Sequence, residues 1–227
     1  MNDKIYVPTK GPDSWREFLA KPESHWETGY SAKTMAYCWE DKNGFPSGFN
    51  KVLIESGLNL EVLLAIPEYK VYLDTNKAPS QNDLFVLTRD SNGLAVIMIE
   101  GKVSEPFAKL IKDWHDSESK LNRFEYLAEK LEINNNISDS NDLRYQLFHR
   151  TVSSILVAEQ FHAKKAIMIV HSFSQSNEWF NDYVGFVSLL SPDRNPKVNE
   201  IFKCKTLSSG IDLYLGWIKG DEKYLEK

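Results

Sequence analysis

The rhythm of hydrophobic and polar positions changes twice along the chain. Gly11-Pro12-Asp13 breaks the backbone, and Ser14 with Glu17 three residues on forms a capping-box pattern ahead of Trp15, Phe18 and Leu19, so a short helix is expected there. Ser31 opens a second helical stretch with Met35, Ala36 and Trp39 on one face. It is stopped by Asn43-Gly44-Phe45-Pro46, and residues 49–55 read as a third helix ended by Gly57. From residue 60 the rhythm becomes that of strands, at 60–66, at 69–74 with Val71 and Leu73 alternating, at 84–87 and at 94–103. Asp90-Ser91-Asn92-Gly93 joins the last two as a hairpin turn, so the sheet begins antiparallel.

Helical spacing returns after Val103. Ser104 is placed to cap a helix with Pro106 in its first turn and Phe107, Leu110, Ile111 and Trp114 on its buried face. A further helix carries Phe124, Leu127, Ala128 and Leu131, and residues 134–141, rich in Asn, Ser and Asp, form a surface loop. Helix resumes over 142–162. Residues 166–170 are a continuous apolar run, as a central strand covered on both faces requires. A helix over 179–190 and a strand over 213–218 follow. The pattern is that of an α/β domain spanning 1–227, with a helical cap over 1–57 and a core over 58–227.

With 227 residues, 42% of them hydrophobic, the chain is long enough to bury a full core. Acidic residues number 32 against 27 basic, a net charge of -5, so there is no general cationic field. A nucleic-acid partner would need a local basic patch or one built by a homodimer. Cys38 and Cys204 stand far apart, with the spacing of neither a disulfide framework nor a zinc site. The first six residues lack the apolar core of a signal segment, and the longest apolar run, 94–99, is too short to span a bilayer. The expectation is a cytoplasmic protein without a membrane partner.

The hairpin carries the candidate chemistry. Counting outward from a turn centred between Ser91 and Asn92, with no bulge, sets Asp83 directly across from Glu100. Lys102, two residues further, points to the same face. Opposed like charges destabilise a sheet unless a cation compensates them, and Mg²⁺ held by hard oxygen ligands is the natural compensator. Such an ion would polarise a phosphate and acidify a bound water, with Lys102 positioning that water or steadying developing negative charge.

Asp83 followed by Glu100-Gly101-Lys102 at the end of an apolar strand resembles the PD-(D/E)xK nuclease superfamily. The order helix, three strands, helix, strand is similar to the restriction endonuclease-like core of that family, a mixed sheet flanked by helices. The resemblance implies Asp83 and Glu100 as ligands of Mg²⁺ (or Mn²⁺), Lys102 as the catalytic aid, and a phosphodiester in DNA, or less favourably RNA, as substrate. Gln81-Asn82 stands where the family has proline ahead of the aspartate. The family often has a glutamate on its first helix, for which Glu55 or Glu61 would serve; Glu55 is carried as the weaker candidate. On the 142–162 helix, Gln146 and Arg150 lie one turn apart in a polar stripe and would contact a metal-bound water or a phosphate, or else form a solvated face. A non-catalytic binding or regulatory protein on the same fold is the rival reading. The phrases at 25–33 and 144–151 also resemble an uncharacterised bacterial family without an assigned activity.

Other features have plainer explanations. Residues 29–33 precede a helix but lack the glycine spacing of a phosphate loop. His171 has no nucleophile elbow beside it and reads as a core or rim histidine. Trp15, Trp26, Trp39 and Tyr37 are spaced as core residues rather than as a base-stacking platform.

Overall fold

The computed structural model describes residue 5 and residues 9–73, 78–134 and 137–227. Its helices are α1 (Pro22–His25), α2 (Ser31–Glu40), α3 (Ser47–Glu55), α4 (Ile111–Trp114), α5 (Glu118–Leu131), α6 (Tyr145–Gln160) and α7 (Phe180–Leu190). The strands are β1 (Glu61–Val71), β2 (Ser80–Asp90), β3 (Gly93–Lys102), β4 (Lys165–Ser172), β5 (Glu200–Thr206) and β6 (Asp212–Lys219). They lie side by side as β1-β2-β3-β4-β6-β5 in one mixed sheet. β1, β2 and β3 form an antiparallel meander, β3, β4 and β6 are parallel, and β5 returns antiparallel to β6. Asp74, Asn135, Asn136 and most of the first eight residues, on which some expectations fell, lie outside the described residues.

Strand alternation divides the core into two faces. Phe85, Met98, Met168 and Leu215 meet Phe124, Phe148, Val152 and Phe186 of α5, α6 and α7. The intervening residues Leu84, Val86, Ile97 and Ile167 meet Met35, Trp39, Phe49 and Leu53 of α2 and α3. The described residues of the expected cap over 1–57 thus cover the second face of the sheet. Every residue of β4 is buried, which is what its unbroken apolar run required.

Several elements differ from the pattern. The helix expected behind a Ser14 cap is a 3-10 helix over Pro12–Phe18 that contains Ser14, whose hydroxyl accepts from Lys10 N–H. The two strands expected at 60–66 and 69–74 are one, β1, which runs through Pro67 opposite Leu84. A proline fits here because β1 is an edge strand, whose outward N–H groups need no ladder partner. The helix expected from Ser104 is reduced to the single turn α4. Its backbone is bonded elsewhere: Ile111 N–H donates to Leu143 O at 2.9 Å and Tyr145 N–H to Lys109 O at 3.1 Å. The helical spacing of Phe107 and Ile111 reflects burial alone. β5 has no signal in the pattern because it is bulged between Lys203 and Lys205, and that bulge breaks its alternation.

Among the described residues no helix is long and apolar enough to cross a membrane.

Candidate functional site

The β2–β3 register runs unbroken from Asp90 opposite Gly93 to Leu84 opposite Ile99. Asp83 and Glu100 are therefore the next pair outward, as the turn count requires. The regular ladder ends there, and the Asp83 side chain takes the next backbone donor: Gly101 N–H donates to Asp83 Oδ2 at 2.8 Å. On the other side of β2, Pro67 pairs with Leu84 and Tyr69 with Asn82, which sets Glu68 across from Asp83. Glu68, Asp83 and Glu100 thus stand in one row across three adjacent strands. Glu68 sits at φ 53°, a left-handed conformation that costs a non-glycine residue on the order of 1 kcal/mol or more.

Glu68 is the site residue that the sequence reading missed. The signal existed in the register of the β1–β2 pair, but reading it requires carrying β1 through Pro67.

Glu100 is buried and densely bonded. Its Oε1 accepts from Lys102 Nζ at 2.7 Å and from Gln146 Nε2 at 2.7 Å, and its Oε2 accepts from Arg150 Nε. Arg150 reaches further, donating through Nη1 to Ser80 Oγ at 3.1 Å and placing Nη2 3.7 Å from Asp83 Oδ1. Ser80 Oγ lies 2.8 Å from His149 Nδ1. Lys102 Nζ lies 5.0 Å from the centre of the Phe107 ring, whose face favours a cation. Glu68 Oε2 accepts from Gln81 Nε2 at 2.7 Å, and the same amide donates to Phe18 O, tying the N-terminal segment to the sheet.

These surroundings divide the carboxylates. Burial raises the Glu68 carboxyl above its ordinary value and the neighbouring charge of Asp83 adds to this. Burial likewise raises Asp83, with the charge of Glu100 next, against the opposing pull of Arg150. Burial would raise Glu100 too, but the charges of Arg150 and Lys102 and their hydrogen bonds outweigh it and hold Glu100 low.

The three carboxylates open into a cleft of about 350 Å³ whose opposite wall is N-terminal chain, including Leu19, His25 and Tyr30. The start of α2 also borders it, but its first N–H, on Ser31, already donates to Glu105 Oε1 at 3.0 Å. The protein supplies its own anion there, in keeping with the absence of a phosphate loop at 29–33.

Asp83, Glu100, Lys102, Gln146 and Arg150 are thus brought together. Gln146 and Arg150 belong to the site and not to a solvated stripe. Glu55 does not. Its side chain is 59% exposed beside Lys51 on α3, which packs against β5 and β6. Glu61 is also excluded, because it pairs with Arg89 at the far end of β1. His171 is buried and accepts from Trp39 Nε1 at 3.4 Å. Trp15 and Trp39 are core, and Trp26 and Tyr37 pack against it. Both cysteines are free thiols.

Gly101 shows how closely the second face approaches. A Cβ at 101 would lie 2.8 Å from Met35 Cγ and 3.3 Å from Asp83 Oδ2. Gly101→Ala is expected to cost about 1–3 kcal/mol in a urea melt as Met35 is forced aside. A loss below about 0.5 kcal/mol would mean that α2 yields freely.

A family model described as a domain of unknown function, DUF6946, matches residues 8–222. The chain belongs to that family. No curated protein and no solved structure matches it. The resemblance to an uncharacterised domain family is therefore met, while the DUF6946 match assigns no chemistry. Among the described residues of this DUF6946 domain, no three His, Cys, Asp or Glu side chains converge closely enough to hold a metal ion as they stand. Glu68 and Asp83 offer hard oxygens to the cleft, but Glu100 has both oxygens engaged by other donors.

Proposed function

We propose that the cleft is a phosphodiesterase centre of the PD-(D/E)xK kind, on a restriction endonuclease-like core, cleaving nucleic acid with DNA as the expected polymer. The observation that carries this reading is the row Glu68, Asp83, Glu100 across three strands, with Lys102 bound to Glu100 at its end. Element order supports it as well: α3, the β1–β3 meander, the α5–α6 pair and the parallel strand β4 follow the helix, three strands, helix, strand arrangement.

The donor set fits Mg²⁺ or Mn²⁺ in kind, because carboxylate oxygens are what hard divalent ions prefer. Glu68 and Asp83 would hold the ion, joined by Glu100 where its bonds to Arg150 are given up. When bound, the ion supplies Lewis-acid polarisation of a phosphate and an acidified water. Glu100, itself bonded by Gln146, holds Lys102 in place, so that its ammonium meets negative charge developing at the scissile group. The net charge of -5 leaves the cationic groove to be completed by a homodimer.

The test is calorimetric titration of Mg²⁺ and Mn²⁺ into wild type, Asp83→Ala and Lys102→Ala, with each protein incubated on plasmid, linear and single-stranded DNA. Wild type is expected to bind the ion and cleave. Asp83→Ala should lose both, and Lys102→Ala should retain binding while losing about 10²-fold or more in cleavage. Absence of ion uptake by wild type, with DNA present, would overturn the reading. The second reading, a non-catalytic binding or regulatory protein, is favoured by the saturation of Glu100, and that same outcome would support it.

A further inference from the structure

We infer that Arg150 is the resident counter-ion of this site and that a divalent cation and the Arg150 guanidinium occupy it alternately. The inference rests on the metal-dependent reading above and concerns how that site is regulated.

Charge and geometry carry it. Glu68, Asp83 and Glu100 place three carboxylates at one end of the sheet, and the cations bonded to or beside them are Lys102 and Arg150. Arg150 is 7% exposed and its guanidinium spans two of the three acids, with Nε on Glu100 and Nη2 facing Asp83. The region between these two carboxylates is where a divalent ion shared by them would have to bind. A guanidinium and a dication cannot share it, since like charges a few ångströms apart in a buried setting repel by several kcal/mol.

Electroneutrality points the same way. Three carboxylates with Lys102 and Arg150 carry one negative charge; adding a dication with Arg150 retained leaves one positive charge, and releasing Arg150 leaves none. Charge balance and the repulsion between the two cations together favour ion entry with Arg150 displaced. Arg150 lines the 350 Å³ cleft, so the displaced side chain turns into it, where the phosphate of a bound substrate would be a bidentate partner. Arg150 thus acts as a latch that occupies the space between Glu100 and Asp83 until ion and polyanion arrive together.

The experiment is Mn²⁺ titration of wild type, Arg150→Gln and Arg150→Lys, followed by calorimetry and by melting temperature. Arg150→Gln is expected to bind Mn²⁺ at least about tenfold more tightly than wild type, because the competing charge is gone. Arg150→Lys, which keeps the charge, should stay within a few-fold of wild type. If Arg150→Gln melts early without metal, Mn²⁺ should restore its transition, raising its melting temperature by more than that of wild type. Equal or weaker binding by Arg150→Gln, with wild type binding the ion, would overturn the latch and leave the metal centre standing. No binding by any of the three proteins would overturn both. Tighter binding confined to Arg150→Gln would support the latch even if wild type took up no ion alone.

Discussion

Glu100→Ala is expected to lower stability by about 3–5 kcal/mol, the range for stripping the partner from a buried charge. The side chains of Glu100, Lys102 and Arg150 are respectively 3%, 5% and 8% exposed. Deleting the carboxylate leaves an ammonium and a guanidinium facing each other, with Asp83, 3.7 Å from Arg150, and Glu68 left to offset them. Gln146 also loses its acceptor. Glu100→Gln should cost less, because it keeps an acceptor oxygen in the same place while losing the charge. Glu100→Met combined with Arg150→Met should be more stable than Glu100→Ala, since it removes one of the two buried cations that Glu100→Ala leaves without their shared carboxylate. Urea denaturation of Glu100→Met, Arg150→Met and the double variant tests this as a cycle. A Glu100→Ala penalty below about 1 kcal/mol would mean that water enters and solvates the cluster.

The second large effect is acid sensitivity at the other face of the sheet. The His171 ring is packed among Trp39, Phe49 and Phe173, and burial lowers its value from 6.5 to about 3. The unfolded chain takes up a proton near 6.5 that the folded chain refuses until about 3. Stability contributed by this group is therefore complete above 6.5 and is lost as pH falls, at about 1.4 kcal/mol per pH unit. Between pH 7 and 4.5 the expected loss from His171 is about 2–3 kcal/mol. Burial, followed by the charge of Arg150, lowers His149 as well and adds in the same direction. Glu68 and Asp83, raised in the fold, act oppositely on acidification. His171→Gln removes the titration while keeping an acceptor for Trp39. Its urea-melt stability should fall by about 2–3 kcal/mol less than that of wild type over this range. An identical pH dependence in both proteins would show that His171 titrates freely.

Much of the fold was legible because its signals are local. The Asp90-Ser91-Asn92-Gly93 turn fixed the β2–β3 register, and with it the pairing of Asp83 and Glu100, because a two-residue hairpin without a bulge has a single count. The unbroken apolar run at 166–170 could only be a strand covered on both sides. The failures were non-local. Residues 104–110 carry helical spacing, yet their backbone finds partners in 143–146, which no periodicity can announce. Glu55 sat on the expected helix, but α3 packs toward β5 and β6, away from the cleft.

The sequence by itself determined that Asp83, Glu100 and Lys102 share one patch, since pleat and turn geometry act within about twenty residues of chain. Only the tertiary structure decided what neutralises that patch. Arg150 is fifty residues from Glu100 and reaches it because α6 lies across β3 and β4, and Glu68 joins the row because β1 continues past Pro67 as far as Val71. Opposite charges separated that far in sequence are brought together by burial of the hydrophobic faces between them. Their pairing is therefore a consequence of packing, and it could not be read from the order of residues.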